Sequence, residues 1–78
     1  MPHISVKMLK GRTEQQKTEL ANALEKAISE TLGCSASHVT VAIEDYTAVE
    51  WQDVFQKEIA QKEESLYKKA QYDPKSLL

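Results

Sequence analysis

The sequence has few of the residues that usually define a class of protein. Its 78 residues include one cysteine, two glycines and two prolines, and aromatic residues make up 6% of the chain. A single cysteine, Cys34, excludes an internal disulfide and any paired-cysteine metal or redox motif. No apolar run approaches the ~18 residues of a membrane-spanning helix, and no leader peptide is expected. We therefore expect a cytoplasmic protein with no membrane partner.

The charged residues carry no strong bias of sign. Lysine and arginine total 10 and aspartate and glutamate total 12, for a formal net charge of −2. A nucleic-acid surface would require a basic face, so none is predicted. His3 and His38 each lack a second ligand at helical or hairpin spacing, and no metal site is expected. The length predicts one domain, residues 1–78, with a core of 2–70 and a C-terminal tail of 71–78.

Hydrophobic periodicity predicts a strand, a helix and a second strand. Apolar residues alternate with polar ones in both strands. The alternating positions are Ile4, Val6 and Met8 in the first strand and Val39, Val41 and Ile43 in the second. Between them, Thr13 and Gln16 have the spacing of a capping box. Leucines at helical spacing follow, and Gly33 is a natural end for this helix.

A second capping box, Thr47 to Glu50, predicts a long C-terminal helix that continues to about Ala70. Its middle, residues 61–65, is entirely polar, so a kink or a solvated segment is expected there. The predicted fold class is α/β: a β-α-β unit with parallel strands, followed by this helix. Two strands do not form a stable sheet alone and leave open edges. We therefore expect self-association to complete the sheet.

Pro2 is the first candidate for chemistry. Removal of Met1 would leave Pro2 as a secondary amine at the start of a strand. An ordinary α-amino group titrates near ~7.7–8.0, and an apolar environment disfavours the charged form. A proline amine is more basic, so its pocket must lower the pKa further for it to act as a base near neutral pH. For an arbitrary chain that begins Met-Pro, an inert start is the simpler interpretation.

The segment Leu9-Lys10-Gly11-Arg12-Thr13-Glu14-Gln15-Gln16-Lys17, after a Met-Pro start, resembles the opening of the 4-oxalocrotonate tautomerase family. The resemblance covers roughly residues 2–51. The longer C-terminal part resembles the bacterial phenylpyruvate (enol) tautomerase subgroup, whose members are dimers. The matching features there are Trp51, Leu66, Lys68-Lys69 and Tyr72. This resemblance implies a tautomerase/MIF-like fold and a homodimer, with a hexamer as the alternative.

The resemblance also implies residue roles. Pro2 matches the catalytic base, Arg12 the arginine that binds a substrate carboxylate, and Trp51 the aromatic wall of the pocket. The family's second arginine falls at Thr40. A hydroxyl group cannot make the two parallel, charge-assisted hydrogen bonds that a guanidinium makes to a carboxylate. The expected substrate is therefore a small enol or keto acid with one carboxylate, such as an enolpyruvate. No metal or organic cofactor is implied.

Several alternatives remain open at this point. Relatives that hydrate or dehalogenate unsaturated acids use a protonated proline and a carboxylate that activates water, for which Glu50 and Asp53 are candidates. A small dimerising module without catalysis is a further alternative. Without the resemblance, Arg12 is read as a solvated loop residue and Trp51 as a core residue. His3 could tune the neighbouring amine, although an ordinary strand histidine is the simpler interpretation.

Overall fold

The computed structural model describes residues 1–78. Its regular elements are β1 (His3–Leu9), α1 (Glu14–Leu32), β2 (Thr40–Tyr46) and α2 (Ala48–Glu58). Short 3₁₀ segments occur at Ala36–His38, Ala60–Ser65 and Pro74–Leu77. The chain divides into two compact units, Met1–Asp45 and Tyr46–Leu78, called the first and second units below.

β1 and β2 pair as a two-stranded parallel sheet. Side-chain contacts join His3 to Thr40 and Lys7 to Glu44, and both pairs are 37 residues apart. A constant difference between paired residue numbers means that the two strands run in the same direction. The predicted β-α-β unit is therefore confirmed.

The helix α1 lies on the apolar face of this sheet. Asp45 shares a face of β2 with Val41 and Ile43, because side chains alternate along a strand. The Nζ of Lys17, in the first turns of α1, donates to Oδ2 of Asp45. The predicted capping box at the start of α1 is present: Thr13 Oγ1 accepts from the Gln16 amide at 3.1 Å. The opposite face of the sheet carries His3, Ser5, Lys7, Thr40, Ala42 and Glu44.

The helix α2 begins the second unit, and its predicted capping box is also present. Thr47 Oγ1 accepts from the amide of Glu50 at 3.1 Å, and Glu50 Oε1 accepts from the Thr47 amide at 2.7 Å. Trp51 and Val54 of this helix are 9% and 8% exposed and are the only buried hydrophobic residues of the chain. A single copy therefore has almost no core.

The predicted continuation of the second helix to Ala70 is wrong, because α2 ends at Glu58. The next segment is a 3₁₀ turn with non-helical geometry at Lys62, φ −116° and ψ 25°. Residues 61–65 have no apolar side chain to bury, and a helix without a packed face is marginal in water. Tyr67 follows this turn with its side chain fully exposed, at 107%.

The C-terminal residues return along α2. Trp51 Nε1 donates to the Tyr72 hydroxyl at 2.9 Å, and Gln52 Nε2 donates to the carbonyl oxygen of Pro74 at 2.8 Å. The rings of Phe55 and Tyr72 meet edge to face at 5.6 Å. An open cleft of about 340 Å³ within this unit is lined mainly by Phe55, Ile59, Leu66 and Tyr72. No helix of the chain combines the length and the apolar character that a bilayer crossing needs.

Candidate functional site

Pro2 lies directly before β1 and is partly buried. Its carbonyl oxygen accepts a hydrogen bond from the Thr40 amide at 3.2 Å. This bond fixes the position of Pro2 at the end of the sheet. Met1, in contrast, is 93% exposed. Loss of Met1 would therefore cost little packing, while Pro2 would stay anchored through its carbonyl.

The side chains of His3 and Thr40 meet at the same end of the sheet. His3 Nδ1 lies 2.6 Å from Thr40 Oγ1, and both residues are exposed. The sequence did not predict this contact, because it depends on the pairing register of residues 37 positions apart. Only the position of His3 next to Pro2 pointed towards it.

Arg12 lies in the loop between β1 and α1, directly after Gly11, whose φ of 131° favours glycine. The Arg12 side chain is exposed and donates through Nη1 to the carbonyl oxygen of Leu9 at 3.3 Å. Leu9 ends the seven-residue strand that begins beside Pro2. At about 3.3 Å per residue, the strand separates Pro2 from Arg12 by roughly 23 Å. One copy of the chain therefore does not bring these two residues into one site.

Trp51 belongs to the second unit and is buried there. Its indole N–H is bonded to Tyr72, and its ring lies 6.3 Å from that of Tyr46, nearly edge to face. This environment is that of a core residue with a satisfied polar group. Its predicted role as the wall of a substrate pocket stays a prediction.

The two carboxylates named for the hydratase alternative have local partners. Glu50 accepts from the Thr47 amide within the capping box. Asp53 pairs with Lys57 one helical turn later, at 3.1 Å, and both side chains are about two-thirds exposed. Both contacts stabilise the exposed side of α2. No three histidine, cysteine, aspartate or glutamate side chains lie together where they could hold a metal ion.

Comparison with known proteins identifies the relatives of this chain. The family model described as "Tautomerase enzyme" matches residues 2–53, so the match begins at Pro2. A probable tautomerase of Xylella fastidiosa is 40% identical over 73 residues, 92% of this chain and 89% of its own. The tautomerase PptA of Escherichia coli is 34% identical over 92% of this chain and 97% of its own. The 2-hydroxymuconate tautomerase of Bacillus subtilis is 44% identical over 45 residues, 58% of this chain and 73% of its own.

Two solved structures share the fold. TomN, described as a 4-oxalocrotonate tautomerase homologue in the tomaymycin biosynthetic pathway, aligns with a TM-score of 0.62 and 38% identity, over 64% of this chain and 77% of its own. A structure from an analysis of trans-3-chloroacrylic acid dehalogenase activity aligns with a TM-score of 0.60 and 33% identity, over 63% of this chain and 92% of its own.

The fold and these relatives define an isomerase of the tautomerase type. The chain belongs to the tautomerase family, among the relatives of 4-oxalocrotonate tautomerase.

Proposed function

We propose that this protein is a cofactor-independent keto–enol tautomerase that acts on an enolpyruvate-type monocarboxylate, with the Pro2 amine as general base. The observation that carries the proposal is the placement of Pro2. It is the first residue of the family match, is partly buried, and is held at the end of the sheet by the Thr40 amide. A base must stay within hydrogen-bond reach of the proton that it moves, and this anchor supports such positioning.

The proposed reaction is a one-base proton transfer. The neutral Pro2 amine accepts the hydroxyl proton of the enol, and the C–O bond becomes a carbonyl as the double bond shifts. The protonated amine then delivers a proton to the neighbouring carbon, which gives the 2-keto acid and returns the amine to its neutral form. Proton and charge balance without any further reactant, and Trp51 is proposed to keep water from the amine.

Arg12 is proposed to bind the substrate carboxylate through its two-point fork. Because Arg12 lies roughly 23 Å from Pro2 along β1, the arginine of a given site comes from a second copy of the chain. The single-copy structure supports such an assembly: it has only two buried hydrophobic residues and a sheet with two open edges. We propose a homodimer rather than a hexamer, because the C-terminal part of the chain resembles the dimeric phenylpyruvate (enol) tautomerase subgroup.

The substrate class follows from the charge near Pro2. Thr40, which contacts Pro2, offers a neutral hydroxyl in place of a second cationic fork. A substrate with one carboxylate and an apolar tail therefore fits better than a dicarboxylate. The Bacillus subtilis relative is named a 2-hydroxymuconate tautomerase. Its substrate, 2-hydroxymuconate, is a dicarboxylate and serves as the comparison substrate in the test.

The test is an enol-ketonisation assay with phenylenolpyruvate and 2-hydroxymuconate, on protein whose intact mass shows loss of Met1. We expect acceleration over buffer and a higher kcat/KM for phenylenolpyruvate. Pro2→Ala leaves a primary amine and should lower kcat without abolishing activity, by less than the ~10²–10⁴-fold of a complete general-base effect. No acceleration of either enol would favour the non-enzymatic dimerising module.

A hydratase or dehalogenase is the second candidate, favoured by the structural similarity to the dehalogenase study. That chemistry requires a protonated Pro2 amine and a carboxylate that activates water. Titration of the ¹⁵N-labelled Pro2 amine by NMR separates the two candidates. A tautomerase requires a pKa below the ordinary α-amino range of ~7.7–8.0, and a higher pKa supports the hydratase.

A further inference from the structure

The open cleft of the second unit is formed by residues beyond the family match. That match ends at residue 53, whereas the cleft is lined by residues from Phe55 onwards. Phe55 and Ile59, at the end of α2, contribute one part of the lining, and Leu66 and Tyr72 of the returning segment contribute another. The family match therefore does not account for this cleft.

The cleft has the size and the lining of a small-molecule site. Its volume is about 340 Å³, and ligand sites in proteins occupy about 300–1,000 Å³ with mainly apolar walls. An adjoining cleft of about 260 Å³ shares most of this lining and adds Lys68. The two together are called the second-unit cleft below. Their apolar walls favour a ligand with an apolar tail, because its binding removes both surfaces from water.

The charged residues of the second-unit cleft leave one positive charge in excess. Lys69 Nζ donates to Glu63 Oε1 at 3.1 Å, so these two charges compensate each other. Lys68 is exposed and forms no ion pair in the structure. The cleft is therefore complementary to a ligand with a single negative charge.

Tyr72 adds a hydrogen-bond donor to the same lining. An indole N–H can only donate, whereas a phenol hydroxyl can accept one hydrogen bond and still donate its own hydrogen. The Tyr72 hydroxyl accepts from Trp51 Nε1 at 2.9 Å, and its own hydrogen has no acceptor in the chain. That hydrogen is available to an oxygen atom of a bound ligand.

We propose that the second-unit cleft binds a free monocarboxylate with an aliphatic tail. The tail packs against Phe55, Ile59 and Leu66, and the carboxylate accepts hydrogen bonds from Lys68 Nζ and the Tyr72 hydroxyl. The inference does not rest on the proposed function, because the residues proposed to bind and convert the enol carboxylate, Pro2 and Arg12, belong to the first unit.

The first readout is the dependence of affinity on tail length. Isothermal titration calorimetry with butanoate, hexanoate and octanoate should show saturable binding that strengthens about fourfold for each CH₂ group that enters the cleft. Octylamine, a cation with a tail of the same length, should bind more weakly than octanoate. Trp51 is the single tryptophan of the chain and is bonded to Tyr72, so its fluorescence should change as octanoate binds.

The second readout locates the bound carboxylate by substitution. Lys68→Gln should weaken octanoate binding about twofold to fivefold, the range for one exposed ion pair. Lys57→Gln is its matched control and should bind like wild type, because Lys57 pairs with Asp53 and does not line the cleft. Ala70→Leu adds an apolar side chain to the lining and should weaken octanoate binding more strongly. Its control, Ala27→Leu, changes an exposed residue of α1 and should have no effect.

Three results would overturn the inference. The first is the absence of saturable octanoate binding. The second is binding that Arg12→Ala abolishes and Ala70→Leu leaves intact, which would place the carboxylate in the proposed catalytic site instead. The third is a change of particle mass in light scattering for Ala70→Leu without octanoate binding by wild type, which would show that a second copy covers the cleft. Octanoate binding with the predicted variant pattern in a protein without ketonisation activity would support the inference and refute the proposed function alone.

Discussion

Arg12 and the neighbouring Lys10 are both exposed cations, but their charged groups differ in chemistry. Both lie in the loop after β1 and both are exposed. The guanidinium, however, is planar and donates two parallel hydrogen bonds to a carboxylate, which an ammonium does not. In the present structure one of its nitrogens donates to the Leu9 carbonyl, a neutral acceptor that a substrate carboxylate can replace.

Replacement of Arg12 by alanine should therefore raise KM for phenylenolpyruvate about tenfold or more, from the loss of charge-assisted hydrogen bonds. The value of kcat should change less, because carboxylate binding contributes to ground state and transition state alike. Steady-state kinetics give both constants. Lys10→Ala is the matched control and should behave like wild type. Equal effects of the two substitutions would argue against carboxylate binding by Arg12.

At this scale the sequence supplied three candidate residues through the family resemblance, namely Pro2, Arg12 and Trp51. It did not supply the His3–Thr40 contact, because no local pattern encodes which residues of two strands face each other. The register becomes visible only when the strands are paired. Candidate residues that belong to a family motif could thus be predicted from the sequence, whereas side-chain contacts between strands could not.

At the scale of elements, local signals in the sequence were good guides where a capping group and an apolar face coincided. Both capping boxes and the β-α-β order are confirmed. The predicted long C-terminal helix was wrong. Leu66 and Tyr67 stand at helical spacing from Ile59, but the segment between them, residues 61–65, has no apolar side chain to bury. Spacing reports compatibility with a helix, whereas packing decides whether the helix continues.

The segment after α2 is held by a small number of polar contacts, and Tyr72 supplies one of them. Tyr72→Phe removes the acceptor of the Trp51 indole N–H and should lower the free energy of unfolding by about 0.5–1.5 kcal/mol. Urea unfolding monitored by far-UV circular dichroism measures this change. Tyr67→Phe is the control, since Tyr67 is fully exposed, and should change stability by less than about 0.5 kcal/mol. Equal stability of the two variants would show that the Trp51–Tyr72 bond does not stabilise the fold.

The Lys17–Asp45 pair joins α1 to β2, and its contribution to the free energy of unfolding depends on pH. The hydrogen bond to Asp45 raises the pKa of Lys17 above its ordinary value of 10.5, and burial opposes this effect. A raised pKa in the folded state means that the stabilisation is complete below the unfolded value. It is lost as the pH rises through the folded value, so the relevant window lies above about pH 10.5.

The Lys17→Met variant lacks this ion pair, so the part of the stability that is lost at alkaline pH when Lys17 is deprotonated should be absent from it. Urea midpoints measured from pH 8 to the alkaline limit of the assay should fall less steeply for Lys17→Met than for wild type. The control is Lys57→Met, since Lys57 pairs with Asp53 in an exposed ion pair. It should keep the wild-type slope. An unchanged slope in Lys17→Met would contradict the assignment.

At the scale of the whole molecule, a single copy is poorly equipped to fold alone. Only Trp51 and Val54 are buried, and large apolar side chains such as Leu32 and Val49 are 65% and 72% exposed. A chain of this size buries a smaller fraction of its surface on folding than a larger chain does. We propose that assembly with a second copy supplies the missing core and brings an Arg12 to each Pro2.

Complementation between copies with impaired activity tests this shared site. Coexpressed Pro2→Ala and Arg12→Ala chains, purified as the mixed dimer, should be more active than either variant alone. In the mixed dimer one site combines an intact Pro2 from one copy with an intact Arg12 from the other. Light scattering should report two chains per particle. A mixed dimer no more active than its parents would place both residues of a site in the same copy and would contradict the proposal.

If the free nitrogen of Pro2 is the base, blocking that nitrogen must remove the activity. A variant with one lysine inserted between Met1 and Pro2 keeps the proline nitrogen in a peptide bond, and intact mass verifies its N-terminus. The measurement is kcat/KM for phenylenolpyruvate ketonisation, compared with the Met1-free protein. The blocked protein should lose at least ~10²-fold in kcat/KM, the lower range for removal of a general base. Undiminished activity in the blocked protein, with its fold and assembly intact, would show that the Pro2 amine is not the base.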